Sequence, residues 1–157
     1  MSSFTVSFDT RALAAAVNDL RADVDQAERP AAQAGAQMLY EEVRQNVARL
    51  GQKTGNLQRS IYQAYSKDQS VNGQQVYHIS WNARKAPHGH LVEYGYTQRY
   101  QVIKDRRTGK WITIKSKRLA NPKQVPPQAF VRRAASKYPL ALQAIEAEFM
   151  KRLKTFK

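Results

Sequence analysis

The 157-residue chain contains no cysteine. Disulfides and thiolate metal sites are therefore excluded, and packing or association with further copies must hold the fold. No run approaches the ~18 apolar residues a membrane span requires. The opening Met1-Ser2-Ser3-Phe4 offers neither the basic region nor the apolar stretch of a secretion signal. No membrane partner is expected, and the chain should be made and folded in a cytosol. Catalytic furniture is equally sparse. There is no Gly-x-Ser-x-Gly elbow and no glycine-rich phosphate loop. The acids are spread along the first helical stretches and not clustered to hold a divalent metal. His88-Gly89-His90 with Glu93 is the one constellation that resembles a zinc set. On a helix, though, His90 and Glu93 would share a face that His88 does not, and His78 belongs to a preceding strand. The expectation is a non-enzyme with no metal and no cofactor.

Acidic residues are also scarce, 12 against 26 Lys and Arg, for a net charge of +14. The excess is local. Residues 1–97 carry +1, residues 98–123 carry +8 and residues 124–157 carry +5. So concentrated a charge repels itself unless solvent or a polyanion screens it, which makes a phosphate backbone or an acidic protein face the expected neighbour.

What is present suffices for one ordinary domain: 42% apolar residues and 10% aromatic, including Trp81 and Trp111. Phe4, Val6 and Phe8 alternate as a short strand, and Asp9 or Thr10 can cap a helix whose buried face is Leu13, Val17, Leu20 and Val24. Pro30 suits the first turn of a second helix, running through Leu39, Val43, Val47 and Leu50 and closed by Gly51. The small residues Ala31, Ala32, Ala34, Gly35 and Ala36 would let another backbone approach that helix closely. Ile61–Tyr65 and Gln75–Trp81 read as an antiparallel strand pair with Tyr77, Ile79 and Trp81 on one face. Tyr100–Lys104 and Lys110–Lys115, joined by Asp105-Arg106-Arg107-Thr108-Gly109, read as a β-hairpin too basic to be core. Pro122, Pro126 and Pro127 stiffen an extended return. Phe130, Val131 and Ala134 begin the helical end, and past Pro139 the series Leu142, Ile145, Phe149 and Leu153 continues it, with Lys151, Arg152, Lys154 and Lys157 opposing the negative helix terminus. The expected fold class is α+β: an antiparallel sheet with a long N-terminal helical hairpin, a basic β-hairpin arm over residues 96–125 and a C-terminal helix.

Three segments recur in a telling order: Thr54-Gly55-Asn56-Leu57-Gln58-Arg59-Ser60-Ile61, His90-Leu91-Val92-Glu93-Tyr94-Gly95, and Pro127-Gln128-Ala129-Phe130-Val131-Arg132-Arg133-Ala134. Together they resemble the tail-completion and head-tail joining proteins of tailed bacteriophages, also known as neck or minor tail proteins. Two features depart from the pattern: Pro126-Pro127-Gln128-Ala129-Phe130 replaces the usual arginine-proline-phenylalanine opening, and the basic hairpin is unusually long. The resemblance implies a single 1–157 domain in which Thr54, Gly55, Leu57, Ser60, Ile61, Glu93, Gly95, Pro127 and Phe130 are structural. It also implies a virion protein at the neck or tail end, present in host cytoplasm during assembly. It would form a homo-oligomeric ring of six that meets head-completion or connector, tail-terminator or tail-tube proteins.

The residues have a physical sense of their own. Thr54 can cap the turn at Gly55 while Leu57 and Ile61 anchor it. Gly95 can close a short helix holding Leu91 and Val92. Glu93, a lone acid in a basic chain, is expected to be buried and paired with Arg59 or Arg132. From another class comes a nucleic-acid-binding module built on Arg99, Lys104, Arg106, Arg107, Lys110, Lys115, Lys117, Arg118 and Lys123, interleaved with Tyr94, Tyr96, Tyr100 and Trp111. Those cations meet either packaged DNA, without sequence preference, or a protein partner.

Overall fold

The computed structural model describes residues 11–51, 55–71 and 73–153. The fold is α+β. Helix α1 spans Arg11–Arg49, α2 Asn56–Ser60, strand β1 Ile61–Tyr65, β2 Tyr77–Trp81, α3 Gly89–Tyr94, β3 Tyr96–Lys104, β4 Trp111–Val125 and α4 Tyr138–Arg152, with 3-10 turns at Lys67–Gln69 and Arg132–Lys137. Two two-stranded sheets form, β1 with β2 and β3 with β4. The expected strand at Phe4–Phe8, the Asp9 or Thr10 cap, the Leu13 side chain, the Thr54 cap, Lys154 and Lys157 all lie outside the described residues.

The helical hairpin expected at the N-terminus is instead one 39-residue helix, about 58 Å long at 1.5 Å per residue, with Pro30 inside it. Proline removes one backbone bond and crowds the carbonyl four residues back, a local cost of ~3 kcal/mol. Here Ala, Glu, Arg and Gln on both sides favour helix, and Ala27, Ala31 and Gly35, four residues apart, form a buried strip that runs past the proline without interruption. Continuity of that strip outweighs the missing bond. The helix ends as expected, with Gly51 in the left-handed region at φ 77°. Its early apolar stripe is not the buried face the sequence suggested. Val17 is 55% exposed, and Leu20 and Val24 are half-buried.

The chain gathers into two compact units. In the first, built from residues up to 41, 63–79 and 136 onward, the small flank of α1 meets α4. A Cβ on Gly35 would lie 2.5 Å from the Ile145 side chain and 3.2 Å from the Ala141 carbonyl oxygen. Ala27, Ala31, Ala36 and Ala141 are buried, so this core depends on close backbone approach and not on bulk. On α4 the inward series is Ala141, Ile145 and Phe149, running on to Leu153. Leu142, expected inward, is exposed, because Ala141 is the residue small enough to face the glycine. Tyr65 and Tyr77 pack with ring centroids 5.2 Å apart, and the Arg29 guanidinium lies 4.4 Å from the Tyr65 ring. The Tyr65 hydroxyl donates to Gln75, which donates in turn to Glu28.

The second unit comprises residues 42–62 and 80–135. Its core is Val43 and Val47 from the last turns of α1 with Ile61, Ala86, Phe130 and Ala134. Trp81 packs edge-on to Phe130 at 5.6 Å. Gly89 lets α3 start directly against the Trp81 indole, where a Cβ would lie 2.3 Å from Nε1. Asn46, buried between Val43 and Val47, donates to the Phe130 carbonyl at 3.1 Å and so satisfies an otherwise costly polar group.

β3 and β4 are longer than the sequence suggested and include Pro122 in a strand. The ladder explains how. It steps from Gln98 opposite Lys123 to Tyr100 opposite Arg118 and then to Gln101 opposite Ile114, so each step leaves three extra residues on β4. Leu119–Pro122 and Lys115–Lys117 fill those bulges. Pro122 therefore sits where no ladder N–H is required of it.

Candidate functional site

The site begins with α3, six residues long and closed by Gly95 at φ 75° and ψ 172°. A Cβ on Gly95 would stand 2.6 Å from the Val125 carbonyl oxygen and 2.8 Å from the Pro127 nitrogen. The chain can turn there only as glycine. This close approach lays 125–129 beside α3, where the Gln128 and Ala129 amides donate to the Val92 and Glu93 carbonyls. Ala129 adopts φ 48°, a conformation unusual for a residue with a side chain. It turns the chain so that Val131 and Arg132 point their amides at the Glu93 carboxylate.

Glu93 is 1% exposed. Its carboxylate accepts from the Val131 amide at 2.9 Å, the Arg132 amide at 3.2 Å and Arg132 Nε at 3.1 Å. Arg132 also donates through Nη2 to the Glu93 carbonyl and lies 5.0 Å from the Tyr94 ring centroid. Of the two arginines the sequence offered, Arg132 makes the pair, while Arg59 donates to Asn56. The acid thus caps the 3-10 turn at Arg132–Lys137, taking up amides that a helix start leaves unpaired. It faces these amides and not His88 or His90. Among the described residues, no group of three or more His, Asp or Glu side chains could hold a metal ion.

The three sequence segments meet around one groove in this unit, lined by Gly55 and Leu57, by Leu91 and Val92, by Gln128, and by Val47 and Leu50 from α1. Gly55 opens α2 in the left-handed region at φ 70°. The Ser60 hydroxyl, buried, donates to the Leu57 carbonyl at 2.7 Å, and the Asn82 amide donates to the Ser60 carbonyl. Ile61 and Phe130 are buried, whereas Pro127 is exposed. Sequence reasoning missed Asn46 and the Gly89–Trp81 contact. A polar residue flanked by Val43 and Val47 was the available signal for the first, and nothing marked the second.

The arm formed by β3 and β4 carries the nine candidate cations Arg99, Lys104, Arg106, Arg107, Lys110, Lys115, Lys117, Arg118 and Lys123, every one exposed. Asp105, its lone acid, is committed to the turn. It accepts from the Arg107 amide and the Thr108 hydroxyl, and the Thr108 hydrogen bond, followed by that of the Arg107 amide, holds its carboxyl below the ordinary aspartate range. Apolar side chains share the arm. Ile103 stands opposite Ile112 on one face, and Lys104 stands opposite Trp111 on the other. Trp111 is 57% exposed, Ile112 46% and Ile103 42%.

The chain is α+β, with a buried acid held by backbone amides and a basic arm that exposes apolar side chains. The profile of the HK97-gp10-like family, "Bacteriophage HK97-gp10, putative tail-component", matches residues 11–95, from the first described residue of α1 to the glycine that closes α3. The chain therefore belongs to this family of bacteriophage tail components. The match takes in the Thr54–Ile61 and His90–Gly95 segments and stops where the arm begins. No curated protein and no solved structure matches the chain. Among the described residues, no helix is long and apolar enough to cross a membrane.

Proposed function

We propose that this tail component works at the head-tail junction of the virion, as a neck or tail-completion subunit whose copies close into a ring. The ring, of six by resemblance, completes the tail or joins it to the head connector. Its neighbours there are head-completion or connector, tail-terminator or tail-tube proteins, and it encloses the DNA path. The whole chain acts as one tail-completion domain carrying the 96–125 arm, mechanically and without turning over a substrate. The arm is the observation that carries this reading. An isolated two-stranded hairpin is marginal in water, and one that exposes large apolar side chains on both faces suits burial against protein. Closed cyclic symmetry lets a single heterologous interface be used at every junction without open-ended growth.

Phage lacking the protein should accumulate separate heads and tails under the electron microscope, and infectious particles assembled in its absence would remove the junction role. A second reading, a nucleic-acid-binding module, draws on the nine exposed cations, none of which has an ion-pair partner among the described residues. On that reading a monomer binds duplex DNA tightly, and neutralising Arg106, Arg107 and Lys110 reduces the salt slope by about one per lost phosphate contact.

A further inference from the structure

We infer that the arm of one copy seats on the N-terminal part of α1 in a second copy, residues 17–28, and that this contact is the repeated interface of the ring. The inference deepens the ring reading and rests on it. Two surfaces of the chain are complementary in chemistry. The arm presents Ile103 and Ile112 side by side, with Arg106, Arg107 and Lys110 exposed in the segment that joins β3 to β4. α1 presents the opposite chemistry. Val17, Leu20 and Val24 line one side of the helix at three- and four-residue spacing, with Val17 55% exposed. Around that stripe residues 14–28 hold Asp19, Asp23, Asp25 and Glu28 against Arg21 alone, the most acidic stretch in a strongly basic chain.

Apolar contact and charge therefore match in the same place. The groove lined by Leu57 and Val92 is the poorer seat for a basic arm, since Arg49 is among its lining residues and like charges disfavour the pairing. Duplex DNA would match the cations but leave the isoleucine pair in water. Because donor and acceptor surfaces differ, each copy gives an arm and receives one, which is the heterologous geometry a ring needs.

Complementation in the full-length protein tests the interface. Sedimentation of the unaltered chain should show an oligomer. Ile103→Glu with Ile112→Glu on the arm, or Val17→Glu with Asp25→Lys on the helix, should each weaken association at least tenfold, with helical circular dichroism unchanged. An equimolar mixture of the two variants retains one good arm and one good helix, so it should give a heterodimer and nothing larger. Charge exchange supplies a second measurement. Arg106→Glu with Lys110→Glu should dissociate the assembly, and adding Asp19→Lys with Asp25→Lys should restore it. A chain monomeric at every accessible concentration, variants that associate like the unaltered protein, or arm variants that assemble normally but lose duplex DNA binding would each overturn the inference. Failure of the junction role would show separately, as normal virions without the protein, and would leave these association results standing.

Discussion

Glu93 is held by neutral amides as much as by its ion pair, and the two contributions separate by substitution. The Arg132 side chain is 56% exposed, so its pairing is screened by water and Arg132→Ala should cost no more than about 1 kcal/mol. Glu93→Gln is harsher. The amide keeps one acceptor but turns an NH2 toward a backbone N–H, leaving a buried donor without a partner, and should lower unfolding free energy by ~2 kcal/mol. Denaturant unfolding of both variants checks the order, and an Arg132 variant that loses more than the Glu93 variant contradicts it. A lone acid just before a glycine in a basic stretch made Glu93 legible in the sequence. The choice between two arginines was not, because it depends on the turn at Ala129 that brings 131–132 to α3.

Proline is where local rules misled at the scale of elements. Pro30 reads as the start of a second helix, yet it lies within α1, and Pro122, read only as part of an extended return, lies within the paired strand β4. In α1 the apolar strip Ala27, Ala31 and Gly35 decides, and in β4 the bulges do; both are tertiary facts that no window around the proline contains. The central strand pair and α3 were legible because alternation and a closing glycine are local signals. Since helix α1 persists despite its proline, Pro30→Ala should restore the missing backbone bond and raise stability by about 1–3 kcal/mol. Thermal unfolding reads this, and a lower melting temperature would mean that the ring itself packs. The arm turn has its own pH signature. The folded pKa of Asp105 is depressed, so its contribution to the turn is present above the unfolded value and is lost as pH falls through the lower, folded value. Amide resonances of Arg107 and Thr108 should move with that acid-side titration, and resonances unmoved by it would detach the carboxylate from the turn.

For the whole molecule the question is what balances a net charge of +14 when copies are brought together. The acidic stretch of α1 can satisfy part of one arm, but residues 98–123 alone carry +8 and residues 124–157 add +5. Positive charge remains on every copy, and the ring proposed above would repeat it around a common axis, where a polyanion threading the ring would relieve the repulsion. Assembled protein should therefore bind duplex DNA without sequence preference, and its affinity should fall with salt by about 0.9 logarithmic units per phosphate neutralised. Ile103→Ser with Ile112→Ser keeps the arm's charge while removing the apolar seat, so single copies should show a clearly shallower slope than the assembly. Competition between unrelated duplexes across a salt series measures both. Equal slopes would mean that one chain, and not the ring, gathers the phosphates, and the nucleic-acid module would then be the better description of the arm.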